Sequence, residues 1–281
     1  MASFYLDDYR LISVRKSELA LTENLKLLVN NIEVKFNISD DADYVYLHLE
    51  EDFNEKNRYM VLLDGIPFEI KFRFIVQTER FDEEYRVDLN TLGSFVEGNK
   101  TTFRLWSPLS KTAILHLDNV IHKMNYVGRG VFELSFDRNL SGHFYHYSTL
   151  RESVYAFTDP FSYADKDHKN SYVVDRNKLK YDKVALKHID TPIIYETSVR
   201  DFTSDSVSFK YPQTFKGMCE QGAKLDAYPV GFDYLKKLGI TYVNIMPIFA
   251  FDLDNSDYNW GYNPLTYNSL HQAYCYGKEP Y

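Results

Sequence analysis

"GFDYLKKLGITYVNIMP", Gly231 to Pro247, is where the sequence leaves one kind of architecture for another. Phe232, Leu235 and Leu238 recur at helical spacing, and Gly239 stands where a helix can end in left-handed backbone. "ITYVNIMP" then reads as a short buried strand closed by Pro247. Just upstream, the apolar run in "TPIIYETSVRDF", Thr191 to Phe202, supplies an earlier strand. Strand, helix, strand in that order is one βαβ unit and implies a parallel sheet. In a barrel of such units the loops leaving the carboxyl ends of the strands carry the ligand site. The segment from Pro247 onward, with "YNWGYNP" at Tyr258 to Pro264, therefore belongs to the ligand face. The loop from Asp201 to about Tyr228 shares that face.

Everything upstream reads as β. In "DYVYLHLEED" Val45, Leu47 and Leu49 share one face and Tyr46 and His48 the other. "FEIKFRFIVQ" alternates likewise, with Ile70, Phe72, Phe74 and Val76 opposite Lys71 and Arg73, after a "DGIP" turn at Asp64 to Pro67. From Leu89, "TTFRLWSP", "TAILHLDN" and "GVFELSFDRNLSGHFYHYSTL" give further short strands. The last reads as a hairpin-like pair turning near Ser141 and Gly142. Short strands with Gly and Pro punctuation suggest an immunoglobulin-like sandwich. "TDPFSYADKDHKNSYVVDRNKL" is polar and irregular and suits a connector lying across a neighbouring domain.

A chain of 281 residues exceeds the usual domain size, so two or three domains are expected. The net charge of −8 argues against nucleic acid or an anionic membrane as partner, since both require basic patches. "MASFYLDDYRLISVRK" has no basic leader followed by an apolar core, and no stretch is long enough to span a membrane, so the expected location is the cytoplasm. Cys219 and Cys275 lack metal-ligand spacing and read as free thiols. The 24 Tyr and 20 Phe of the chain could signal ring-stacking sugar surfaces, but biased codon usage and core packing account for them as well.

"IYETSVRDF", "GFDYLKKLGITYVNIMPIFAF" and "DYNWGYNPLTYNS", in that order, resemble the start of the catalytic barrel of type I pullulanases, in glycoside hydrolase family thirteen. "LGSFVEGNKTTFRLWSP", "SGHFYHYS" and "DPFSYA" resemble the family-forty-eight carbohydrate-binding module that precedes that barrel. The resemblance covers about Leu89 to Tyr281. Two positions depart from the common pattern: Asn263 stands where most members have Asp, and Ser198 where many have His. The residue pattern divides the multidomain chain into an all-β N-terminal module over 1–88, an immunoglobulin-like β-sandwich over 89–187 and a βα region over 188–281. The resemblance implies that the last is the start of a (β/α)8 TIM barrel, and reaches the first module only by its place in the order.

The resemblance also implies a debranching enzyme that hydrolyses α-1,6-glucosidic bonds in pullulan, glycogen or limit dextrins, with no cofactor. That chemistry uses two carboxyl groups about 5 Å apart. The resemblance places them on later barrel strands, so this chain is expected to hold no catalytic residue. It would be an N-terminal fragment, inactive alone, whose partner is an α-glucan such as pullulan, glycogen or maltodextrin. A non-catalytic α-glucan-binding protein and a degenerate gene product are the alternatives.

Four residues form the expected substrate site: Tyr262, Asn263, Asn259 and Trp260. The resemblance assigns Tyr262 to ring stacking on a glucose, for which an aromatic face suits sugar C–H groups. A purely structural turn is the competing reading. Asn259 and Asn263 can either bond sugar hydroxyls or hold the loop, and Trp260 reads as a loop anchor. Glu196, Arg200 and Asp201 read as a salt-bridged structural set, and Trp106 as core or domain-interface packing. His143 and His146 have no metal-ligand partner at suitable spacing, so no metal site is expected. P-loop, G-x-G-x-x-G and G-x-S-x-G signatures are absent from the sequence.

Overall fold

The computed structural model describes residues 2–19, 24–54, 57–151, 153–165, 167, 169–179, 184–185, 188–251 and 258–277. The boundary expected near Lys187 lies outside the described residues.

The first region holds β1 (Phe4–Asp8), β2 (Leu11–Arg15), β3 (Leu25–Val29), β4 (Ile32–Val34), β5 (Phe36–Asp40), β6 (Tyr44–Leu49), β7 (Tyr59–Leu63) and β8 (Ile66–Phe72), followed by helix α1 (Glu79–Tyr85). They form one sheet in the order β4-β3-β7-β8-β1-β2-β6-β5, antiparallel except for β1 beside β8. Period-two alternation explains the pairing: Phe4, Leu6, Ile12, Val14, Leu27, Leu47, Val61 and Ile70 converge on one core. Each such side chain contributes about 1.5–3 kcal/mol through burial. Thr78 caps α1 by accepting from the Phe81 N–H, and Phe81 and Tyr85 close the core. Asp64 and Gly65 both take positive φ, the backbone a two-residue hairpin demands between β7 and β8.

The alternation expected through Val76 stops earlier. β8 ends at Phe72, residues Phe74–Gln77 form a 3-10 turn, and Phe74 and Val76 are exposed. The Arg73 guanidinium is the cause: it forms a bidentate pair with Asp7 at 2.7 and 2.6 Å and also donates to Ser13. That contact turns the chain out of the strand and leaves the following apolar residues off the core face.

The second region is a β-sandwich. β9 (Gly93–Glu97), β10 (Lys100–Trp106), β13 (Asn125–Gly128) and β14 (Val131–Phe136) make one sheet; β11 (Thr112–Leu117), β12 (Val120–Lys123), β15 (Phe144–Leu150), β16 (Val154–Phe157) and β17 (Ser171–Tyr172) make the other. Phe103, Leu105 and Phe132 from one sheet and Leu115, Leu117, Tyr145 and Tyr147 from the other share the core. The segment read as a hairpin does not pair with itself. β14 joins β10 and β13, whereas β15 joins β11. The link between them crosses from sheet to sheet because Leu140 plugs the core and its N–H is taken by the Thr101 hydroxyl at 3.0 Å. Trp106 lies at the seam with the first region, its indole N–H donating to the Tyr85 carbonyl at 3.0 Å.

The third region holds β18 (Ile194–Thr197), short helices α2 (Val199–Phe202) and α3 (Phe215–Met218), a small hairpin of β19 (Lys224–Leu225) and β20 (Tyr228–Pro229), helix α4 (Gly231–Leu238) and β21 (Tyr242–Ile245). β18 and β21 pair in parallel, from Ile194 opposite Tyr242 to Thr197 opposite Ile245. Gly239 ends α4 in left-handed backbone, its N–H bonding the Leu235 and Lys236 carbonyls. The βαβ reading holds, but the strand expected to be buried is not. Ile194, Tyr242 and Ile245 are exposed, as is Leu238 on α4. Parallel sheets are ordinarily covered on both faces; among the described residues this sheet has two strands, and its faces lack that cover. No helix among the described residues is long and apolar enough to cross a membrane.

Candidate functional site

The carboxyl ends of β18 and β21 open into the two loops that the sequence places together, and side chains join them. Ser198 caps α2, its hydroxyl accepting from the Asp201 N–H at 3.0 Å and donating to Asp201 Oδ2 at 2.9 Å. The same carboxylate oxygen receives the Tyr258 hydroxyl at 2.5 Å. The Arg200 guanidinium lies 5.2 Å from the Tyr258 ring centroid. The bond to Asp201 raises the Tyr258 phenol pKa, and a hydrogen bond with Trp260 opposes that rise. The loop at 258–264 is thus pinned at its start to the end of the first strand.

Its middle is pinned from beneath. Gly261 has φ +84, and a Cβ there would sit 2.8 Å from the Pro247 carbonyl oxygen and 3.1 Å from the Phe251 ring. Only glycine permits this approach. Phe251 is buried and stacks on His271 with ring centroids 3.9 Å apart and an 8° interplanar angle. Asn259 closes the turn, its Oδ1 accepting from the Gly261 N–H at 2.8 Å and its amide donating to Asn263 Oδ1 at 3.0 Å. Both ends of the Asn259 side chain therefore hold the loop. Asn263 spends its carbonyl oxygen on Asn259, and its side chain is otherwise exposed.

This rigid turn presents rings to solvent. Tyr262 is 63% exposed and Trp260 58%. Trp260, read as an anchor, contacts the Tyr258 hydroxyl but is not packed into the core. A cleft of about 230 Å³ beside the loop is lined by Arg200, Gln213, Asn259, His271 and Tyr274 among others. A larger cleft of about 670 Å³, mostly apolar, lies between α4 and the β19–β20 hairpin and has Asp201 in its lining.

Glu196 accepts from Asn244, its cross-strand neighbour, at 2.7 Å, so it braces the parallel pair. Asp201 serves the loop through Ser198 and Tyr258. These contacts were not legible in the sequence, because Asn244 and Tyr258 lie 48 and 57 residues away from their partners. His143 pairs with Asp118, and His146 with Asn170; no group of three or more metal-ligating side chains occurs among the described residues. Cys219 and Cys275 are unbridged.

The sequence gives little warning of a second polar cluster. Asp159 is 1% exposed and accepts from the Tyr145 hydroxyl at 2.6 Å and the Phe161 N–H at 2.8 Å. Burial pushes its carboxyl up to about 6 despite those two donors. Beside it the Tyr147 hydroxyl is fully buried with no partner among the described residues. The available signal is the "DP" of "TDPFSYA", which reads as part of an irregular connector and of the module resemblance, with no sign of a buried carboxyl.

No family model matches the chain. It is 25% identical to pullulanase A of Streptococcus pneumoniae serotype 4 over 94% of its own length and 24% of that protein's. To the pullulanase of Bacillus subtilis strain 168 it is 24% identical over 96% of its length and 41% of that protein's. Among solved structures, the pullulanase of Anoxybacillus sp. LM18-11 complexed with maltotriose superposes with a TM-score of 0.81 at 22% identity. That match covers the whole of this chain and 44% of the other. The chain thus spans less than half the length of these relatives, and its homologues over most of its own length are pullulanases.

Proposed function

We propose that this chain is the N-terminal part of a pullulanase-type glycoside hydrolase that cleaves α-1,6-glucosidic bonds in α-glucans. Residues 1–88 and 89–187 are its β modules, and 188–281 the first βα units of a (β/α)8 barrel. The parallel register of β18 and β21 and the placing of the 258–264 loop at their carboxyl ends support the barrel reading. The observation that carries the functional reading is the exposed Tyr262 ring on a turn fixed at Tyr258, Asn259 and Gly261. An immobilised aromatic face loses little entropy on stacking with a sugar. Asn263, whose amide nitrogen takes no part in the Asn259 bond, is the polar companion that donates to a sugar hydroxyl.

Retaining hydrolysis needs a nucleophile and a general acid about 5 Å apart. Among the described residues, Glu196 and Asp201 beside the strand ends are occupied in bracing and do not fill those roles. The 281-residue chain is therefore expected to bind short α-glucans weakly and to release no reducing ends from pullulan. The test is incubation of the purified chain with pullulan alongside titration with maltotriose. Turnover that survives repurification would overturn the assignment of catalysis to other residues, and the absence of any glucan binding would overturn the Tyr262 assignment. Binding without turnover is equally what a non-catalytic glucan-binding protein would show. Restoration of pullulan cleavage by adding the remaining barrel of a relative separates the two.

A further inference from the structure

The loop that carries Tyr262 is held from the sandwich as well as from the parallel pair. Asp159 sits where the chain leaves β16, and it binds several groups at once. Its carboxylate takes the Tyr145 hydroxyl of β15 and the Phe161 N–H; its own N–H donates to the Ser171 hydroxyl of β17 at 3.2 Å; its carbonyl accepts from the Ser162 N–H at 3.0 Å. The turn so formed lies against Gly93 of β9, where an added Cβ would stand 3.2 Å from Phe161.

That turn delivers two carbonyls to the far loop. Ser269 donates its hydroxyl to the Ser162 carbonyl at 2.8 Å, both residues being buried, and the Asn268 amide reaches the Pro160 carbonyl at 3.4 Å. Ala164 and Leu270 add a parallel bridge. From there the backbone is short and well bonded: the Ala250 N–H reaches the Ser269 carbonyl, the His271 N–H the Ile248 carbonyl, and the Leu265 N–H the Ala250 carbonyl. His271 stacks on Phe251, which underlies Gly261.

We propose that Asp159 is a positioning residue for the Tyr262 loop, the sandwich acting through residues 159–165 as the bracket that fixes the ring's place; this rests on the sugar-subsite reading of Tyr262. A buried carboxylate is costly, and packing alone would be served by an amide or an apolar side chain. What the acid supplies is several acceptor sites at one point, which fix the turn's direction as well as its presence.

The test uses the full chain with Trp106→Phe, which leaves Trp260 as the sole indole. Three further substitutions are compared: Asp159→Ala, Ser269→Ala, and Leu115→Ala as a control deep in the sandwich core. The readouts are amide hydrogen exchange over 262–271, acrylamide quenching of Trp260, and the Trp260 response to maltotriose. At a temperature where far-UV circular dichroism shows all proteins folded, Asp159→Ala and Ser269→Ala are expected to speed exchange about tenfold and weaken the maltotriose response. Leu115→Ala is expected to lower the melting temperature while leaving all three readouts unchanged. Unaltered loop exchange in both Asp159→Ala and Ser269→Ala, or an equal change in the core control, would overturn the proposal. If the parent protein shows no maltotriose response, the sugar reading fails by itself, and the exchange arm still decides the positioning role.

Discussion

Replacing Asp159 by an asparagine should change how the stability of the sandwich depends on pH. The carboxyl is held up at about 6 against 3.8 for an ordinary aspartate, chiefly because burial disfavours its charged form. At ~1.4 kcal/mol per pH unit that difference corresponds to about 3 kcal/mol. The sign follows from proton binding: the folded state holds this proton more tightly than the unfolded one. The contribution is therefore full below about pH 3.8 and is lost as pH rises through about 6. The amide of the variant would carry no charge to bury, though it gives up one of two acceptor oxygens, a loss of about 1 kcal/mol. Asp159→Asn should thus be about 2 kcal/mol more stable than the parent at about pH 8 and about 1 kcal/mol less stable at about pH 4. Urea unfolding followed by near-ultraviolet circular dichroism at intervals between these values gives the two profiles. Carbon-13 detection of the carboxyl titration locates the midpoint. Profiles that run parallel across the range, or a carboxyl titrating at the ordinary aspartate value, would refute the burial argument.

Other substitutions probe the site more locally. Gly261→Ala should abolish any maltotriose response and shift Trp260 emission, since the residue has φ +84 and its new methyl would press on the Pro247 carbonyl; left-handed backbone alone costs a residue with a side chain about 1–2 kcal/mol. His116 and His146 stack at 4.3 Å with a 9° interplanar angle, and burial first, then His146, lowers the pKa of His116. The stability gained by keeping His116 neutral is full above about pH 6.5 and falls as pH drops through its depressed midpoint, so His146→Gln should raise that midpoint in an NMR titration. Trp106→Phe, which removes the bond to the Tyr85 carbonyl, should cost about 1 kcal/mol and loosen the amides of 79–88 in hydrogen exchange.

Local pattern carried much of the fold. Leu47 and Leu49 alternate as a half-buried strand must, and Gly239 marks the end of α4 by the conformation it alone adopts cheaply. Where the sequence misleads, a distant partner decides. Arg73 leaves its strand for Asp7, and the 131–150 segment divides between two sheets because Thr101 captures the link. The site divides the same way. "YNWGYNP" announces a turn with exposed rings, but what makes the turn rigid is Asp201, Pro247 and Phe251. The bracing we infer from the sandwich comes from Asp159, about 100 residues earlier in the chain. Burial that arises only when distant segments meet, as at Asp159 and Ser269, leaves no periodic trace in either segment.

Whether the Tyr262 ring is a sugar platform is tested most directly by saturation-transfer difference NMR with maltotriose, which reports which sugar protons lie on a protein ring. The parent chain should transfer saturation to the C–H protons of one glucose unit, and Tyr262→Ala should lose that transfer while keeping its circular dichroism spectrum. Equal transfer in the two proteins, or none in either, would contradict the assignment of Tyr262 to a sugar subsite.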